Sequence, residues 1–385
     1  MLFTIRTRTG EQPAVIELQN VTKIYPGQRR PAVSGVSFTV PEGKTCVLIG
    51  PSGCGKTTIM KMINRIIEPS EGTILVNGQN AREMNAVKLR RTIGYVIQQI
   101  GLFPHMTIQQ NIGVVPRLLG WPRSKIAQRA DELIQLVGMD PAAYRDRYPR
   151  ELSGGQRQRI GVARALAADP PVMLMDEPFG AVDPITRDRL QNEFLRLQER
   201  LHKTIVFVTH DIDEAIKMGD QIVILQTGGL IQQIGSPDDI LADPANDFVA
   251  DFVGTDRGLK RLSLMRVGDI VQDYPAVQVS EVAEVALERM RKHEVRSLVV
   301  VNRERHVVGY LTEGSAKRHP RRVVEDVMNA LEIHAEKQST LRDAFSEMLT
   351  NAVRILPVVD DDDRYLGVVT AAAVQDAIAR DNSAH

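Results

Sequence analysis

Gly50-Pro51-Ser52-Gly53-Cys54-Gly55-Lys56-Thr57 puts a lysine and a hydroxyl directly behind a glycine-rich stretch. Glycine at 50, 53 and 55 lets backbone amides close around phosphate oxygens, with Ser52, Cys54 and Thr58 in the same run. Lys56 then supplies a point charge to β and γ phosphates, and Thr57 a hydroxyl ligand for Mg²⁺. Farther on, an apolar run ends in Asp176-Glu177. The aspartate suits a metal held through water, and Glu177 suits a general base that takes the proton of an attacking water. Leu152-Ser153-Gly154-Gly155-Gln156 lies between them. Its serine and glycines open a helix near Gln156, and that N-terminus is a second anion site.

These groups need elements to carry them. Cys46-Val47-Leu48-Ile49 is wholly apolar and runs into the glycine loop, as a parallel strand buried on both faces and followed by a helix from about Lys56 would do. Val172-Met173-Leu174-Met175 delivers the acidic pair to its C-terminal end, where open α/β sheets bind ligands. Ile205–Val208 and Ile222–Leu225 read as neighbouring buried strands, the first ending in Thr209-His210-Asp211.

The chain has 385 residues, enough for two or three domains. Its 48 lysines and arginines balance 48 aspartates and glutamates, which excludes a dedicated nucleic-acid binder of the basic kind. Its only cysteines, Cys46 and Cys54, allow no disulfide framework or four-cysteine zinc site and suit a reducing cytosol. No apolar stretch is long enough to span a bilayer, and Arg6 and Arg8 interrupt the place where a signal peptide needs an apolar core. Any membrane process is served from the cytoplasmic side.

The order of these motifs, from about Ile16 to Val253, resembles an ATP-binding cassette (ABC) ATPase. The resemblance implies ATP and Mg²⁺ as cofactors and a P-loop, RecA-like α/β core with a helical signature subdomain over about residues 100–165. It implies that Tyr25 stacks on adenine, that Gln98 touches Mg²⁺ and couples to a transmembrane partner, and that His210 contacts the γ phosphate. Gly180-Ala181-Val182-Asp183 matches the D-loop, with Gly180 where serine is commoner, so Asp183 carries the expected contact. In the family, Ser153, Gly154, Gly155 and Gln156 bind the γ phosphate of ATP held by the opposite subunit. A nucleotide-sandwich homodimer follows.

Beyond Asp256 a repeat begins: Val295-Arg296-Ser297-Leu298-Val299-Val300-Val301 recurs as Val353-Arg354-Ile355-Leu356-Pro357-Val358-Val359, an offset of 58 residues. Each copy reads as helix, strand, turn, a strand ending in Gly-x-x-Thr, and helix, and resembles a tandem α+β pair of CBS domains. The expected boundaries are 1–256 for the ABC domain, 257–322 for the first CBS unit and 323–385 for the second. Ribose-binding CBS units carry an aspartate three residues after the Thr; Ser315 and Ala373 stand there. That argues against adenosine in the usual clefts and leaves a cyclic dinucleotide such as cyclic di-AMP at the dimer interface, or ionic strength, as the input. Lys317-Arg318-His319-Pro320-Arg321-Arg322 suits either docking on anionic lipid or a solvated linker.

An ABC ATPase fused to CBS domains resembles the ATP-binding subunit of bacterial importers for quaternary-amine osmoprotectants, glycine betaine, carnitine, choline or proline betaine. Ile93–His105 and Arg257–Leu262 carry further matches. The resemblance implies an ATPase coupled to solute import, peripheral on the cytoplasmic face of the inner membrane. Its partners are permease subunits and, indirectly, an extracytoplasmic binding protein. An importer of methionine or a polyamine, or a soluble ABC-type regulatory ATPase, are the alternatives; a vestigial ATPase would lack Glu177 or His210.

Overall fold

Alternating and continuous apolar patterns sort the strands into different sheets. The computed structural model describes residues 14–97, 101–180, 182–331 and 333–382, and the chain divides into one unit of residues 1–253 and another of 254–385. Gln98 and the segment holding Arg6 and Arg8 lie outside the described residues.

In the first unit, β1 (Ala14–Lys23) and β2 (Val33–Pro41) pair antiparallel, and β2 buries alternate residues in the manner of a strand with one wet face. The strand β3 is Thr45–Ile49; β4 (Glu71–Val76) and β5 (Gln79–Asn80) complete the first sheet in the order β2-β1-β4-β5. The second sheet contains β3, β6 (Ile93–Val96), β7 (Val172–Asp176), β8 (Thr204–Val208) and β9 (Gln221–Gln226), all parallel, with β10 (Leu230–Gly235) antiparallel at one edge. Its order is β10-β9-β3-β8-β7-β6.

Every residue of β3, β7 and β8 is buried, which explains why these strands read as unbroken apolar runs. The order sets β8 between β3 and β7, with Val208 opposite both Leu48 and Asp176. Three strand ends therefore open side by side. Between β6 and β7 the chain leaves the sheet for helices Ile108–Ile112, Val114–Leu118, Arg123–Leu136, Pro141–Tyr144 and Gly154–Leu166. Among the described residues no helix is long and apolar enough to cross a membrane.

The second unit realises the repeat element by element. Its first copy has helix Ala283–Lys292, β12 (Ser297–Val301) and β13 (Val307–Thr312), with β11 (Ala276–Gln278) parallel to β12 and β14 (Asn329–Ala330) on β13. The second has β15 (Ala335–Glu336) parallel to β16 (Ile355–Val359), which pairs with β17 (Tyr365–Thr370) behind helix Leu341–Thr350. The limits of the helix and of the two strands that follow it repeat at the same offset as the sequence. The glycine of each Gly-x-x-Thr is explained by close approach: a Cβ on Gly309 would lie 2.4 Å from the Asn329 carbonyl oxygen, and one on Gly367 2.4 Å from that of Gln272. Each copy has its own core, around Leu298 and Leu311 in one and Leu356 and Val369 in the other, and Val299, Val301, Tyr365 and Val368 form a cluster drawn from both.

Phe207 is fully buried in β8, with its ring centroid 6.0 Å from that of Phe179. Phe207→Ala should lower the unfolding free energy by about 3–5 kcal/mol. Urea titration followed by the emission of Trp121, the single tryptophan of the chain, measures it.

Candidate functional site

The loop after β3 is shaped by backbone crowding. A Cβ on Gly50 would fall 2.0 Å from the Leu225 carbonyl oxygen on the neighbouring β9, so only glycine fits there. The chain turns through Ser52 and Gly53, both exposed, to the buried Cys54 and to Gly55, which caps helix Lys56–Ile63 in the left-handed conformation. Lys56 is 6% exposed, and its Nζ donates to the carbonyl oxygens of Gly50 (2.6 Å) and Pro51 (3.1 Å). A buried ammonium whose hydrogen bonds go to carbonyl oxygens is a ready attractor for phosphate oxygens, which accept charge-assisted bonds.

Thr57 faces the end of β7, and its Oγ1 donates to Asp176 Oδ1 at 3.3 Å. Burial first, and the Glu177 charge after it, push the Asp176 carboxyl above the usual range, against the hydrogen bond from Thr57. A hydroxyl and a buried, destabilised carboxylate side by side are a hard-oxygen donor pair that fits Mg²⁺. Tyr25 reaches the same neighbourhood: its hydroxyl lies 3.4 Å from Thr58 Oγ1, and Lys23 Nζ sits 5.5 Å from its ring centroid.

Glu177 adopts φ +46°, a strained backbone for a residue with a side chain, and its amide donates to the Val208 carbonyl. That turn aims the carboxylate at the end of β8, where His210 Nδ1 lies 3.3 Å from Glu177 Oε1. Behind the pair, sequence reasoning missed a polar network. Glu214, 7% exposed, accepts from Gln191 Nε2 at 2.9 Å. Arg187 donates to the Val182 carbonyl oxygen (3.1 Å) and lies 3.7 Å from Asp211, which caps helix Ile212–Met218. Both Arg187 and Glu214 line a small cavity with Glu177 and His210. The Asp211 cap was legible as an acid before a helix; the Gln191–Glu214 partnership spans 23 residues and left no local signal.

The Ser153 tip forms a second group. Helix Gly154–Leu166 starts two residues earlier than the expected start near Gln156, because Ser153 caps it: its Oγ accepts from the Gln156 amide, and Gln156 Oε1 accepts from the Ser153 amide at 2.9 Å. Gln156 also donates to the Tyr144 hydroxyl at 3.0 Å. Ser153, Gly154, Gly155, Gln156 and Asp183 line one cavity of about 650 Å³, whose walls include none of residues 50–58, Asp176, Glu177 or His210. Asp183 caps helix Pro184–Leu201, and the Thr186 amide holds its carboxyl below the ordinary range. The Lys56 loop and the Ser153 tip thus lie apart on one chain.

The "ABC transporter" family model matches residues 33–180, and the "CBS domain" model matches 267–320 and 324–380. The osmoprotectant import ATP-binding protein OsmV of Salmonella typhimurium is 48% identical over 95% of this chain and 96% of its own length. The chain belongs to the ATP-binding subunits of ABC osmoprotectant importers. This family also contains the choline transport ATP-binding protein OpuBA of Bacillus subtilis, 51% identical over 94% of this chain and 96% of its own. The glycine betaine/carnitine/choline transport ATP-binding protein OpuCA of Bacillus subtilis is 50% identical over the same shares. A solved dimeric post-hydrolysis state of an ATP-binding cassette bound to ADP and Pi matches with a TM-score of 0.52 and 32% identity, over 58% of this chain and 98% of that one. As an ABC ATPase, the family member described here binds and hydrolyses ATP, and the fold class expected from the motifs holds.

Glu177→Gln should retain ATP binding and lose turnover by about 10²–10⁴-fold, the range a general base contributes, in a phosphate-release assay. Lys56→Ala should weaken ATP binding about 10–100-fold by equilibrium titration, since a charged hydrogen-bond partner is lost. Burial holds the Glu214 carboxyl above its ordinary value, so its contribution to stability is complete below that ordinary value and is lost as pH rises through the raised one. Glu214→Gln should remove this loss, leaving the variant more stable than the parent at the alkaline end of a urea-unfolding series.

Proposed function

We propose that two copies of this chain form the motor of an importer for quaternary-amine osmoprotectants such as glycine betaine, carnitine, choline or proline betaine. The observation that carries the reading is the separation of the two anion sites on one chain. The Lys56 loop with Asp176, Glu177 and His210 makes one half-site, and the Ser153 tip with Asp183 makes the other. Opposed head to tail, each copy completes the site of its twin. Names of relatives, OpuBA and OpuCA among them, support the solute class.

In this reading Lys56 and the loop amides hold the β and γ phosphates, Tyr25 stacks on adenine, and Ser52, Gly53, Cys54, Gly55 and Thr58 shape the cradle. Thr57, Asp176 and Gln98 hold Mg²⁺, which neutralises phosphate charge when bound. Glu177 takes the proton of the attacking water, and His210, beside it, donates to the γ phosphate. Ser153, Gly154, Gly155 and Gln156 close on the same phosphate from the partner, with Asp183 at the junction. Closure draws the permease through Gln98 and the exposed Phe103, and hydrolysis resets it. The subunit works at the cytoplasmic face of the inner membrane, receiving solute from the permease and its extracytoplasmic binding protein.

The CBS pair regulates this motor. Thr312 and Thr370 each cap the following helix through the amides of Ser315 and Ala373, so both positions serve the fold in the same way. We assign the input to cyclic di-AMP at a CBS dimer interface or to ionic strength acting through the exposed run 317–322 on anionic lipid, where Lys317 already pairs with Glu313. Uptake of labelled glycine betaine into vesicles holding the full transporter should require ATP inside, vanish with Glu177→Gln, and change with salt or cyclic di-AMP only when the CBS pair is present. ATP-driven uptake of methionine or a polyamine in place of glycine betaine would overturn the solute assignment.

A further inference from the structure

Gly101–Thr107 stands between the Gln98 region and helix Ile108–Ile112 and presents Phe103, 41% exposed, edge-on to His105 with ring centroids 6.1 Å apart. A loop whose backbone bonds only sparsely to itself needs side chains to hold its shape. Asn111 does this from the following helix. It is fully buried; its Oδ1 accepts from the Phe103 amide at 2.7 Å, and its Nδ2 donates to the carbonyl oxygens of Phe103 (3.1 Å), Met106 (3.1 Å) and Thr107 (3.0 Å). The donors and acceptor of one amide are all directed at this segment.

A second support comes from elsewhere in the chain. Arg164, near the end of helix Gly154–Leu166, donates from Nη1 to the Gly101 carbonyl oxygen across 63 residues of sequence. At 1.5 Å per residue, the helix sets the Arg164 backbone about 16 Å along its axis from Ser153 at its other end. The element that offers amides to phosphate and the element that shows Phe103 to its surroundings are therefore tied by a charge-assisted hydrogen bond.

We propose that Arg164 and Asn111 are positioning residues that make Gly101–Thr107 move as one body with the Ser153 helix. Displacement of the helix tip by ATP then reaches Phe103, and force applied at Phe103 returns to the tip. The link onward to a permease rests on the transport role proposed above; the tether between helix and loop does not. A rigid helix with a bonded loop at its far end is a physical connection of the kind that coupling requires, and it is tested by breaking the bond while both ends remain.

Cys46 and Cys54 are both buried, so His105→Cys adds the only accessible thiol for a spin label in the full chain. In a Glu177→Gln background, ATP with Mg²⁺ should change the mobility of the label. Arg164→Gln and Asn111→Ala should each abolish that change while ATP affinity and Trp121 emission stay at parent values. Arg164→Lys, which can still donate to the Gly101 carbonyl, should keep most of it. An unaltered response in Arg164→Gln overturns the tether, as does a label that ignores ATP in the parent; if Asn111→Ala does not fold, the two Arg164 variants decide. Phe103→Asp separates the other half of the reading: if the transporter still assembles and takes up solute, Phe103 is not the permease contact, and the label result stands regardless.

Discussion

A helix N-terminus attracts phosphate only where its amides face it, and this chain holds two such termini apart. Helix Lys56–Ile63 follows β3, one of three adjacent strand ends, and its Thr57 reaches Asp176 at another. Helix Gly154–Leu166 opens into a cavity shared with Asp183 and none of those residues. The insertion of helices between β6 and β7 produces this separation, because it takes Ser153 out of the sheet layer before the chain returns to deliver Asp176. A single copy keeps the Lys56 loop and the Ser153 tip in separate places. The pairing proposed above would bring the two together, and topology is what makes it necessary.

What the strands do was readable without coordinates, and for a physical reason. Buried parallel strands favour apolar residues, so β3, β7 and β8 announce themselves as apolar runs, and the polar residues that end them are conspicuous. Spacing also made the C-terminal repeat plain, since packing each copy around its own core demands the same residues at the same intervals. The helix after Ser153 was placed two residues late because the capping box, not the glycines, decides where the amides begin to turn. Long-range partners stayed hidden. Nothing in the neighbourhood of Glu214 names Gln191, nothing near Gln156 names Tyr144, and nothing near Gly101 names Arg164. Gln98 lies outside the described residues.

Strain and burial concentrate where the chemistry is expected. Glu177 takes a left-handed backbone, Asp176 carries a carboxyl destabilised by burial, and Lys56 leans on its own loop carbonyls. The burial of the Lys56 ammonium and of the Asp176 carboxylate is costly for the chain alone, and a phosphate and a cation would offset it. In the C-terminal unit the repeated threonine caps and the two cores serve structure.

Mass analysis of the Glu177→Gln chain in saturating ATP and Mg²⁺ tests the central claim most directly. Two chains with two nucleotides, reverting to single chains when Ser153→Arg is added, is the expected result. Single chains that each carry ATP, unaffected by the change at Ser153, would contradict it.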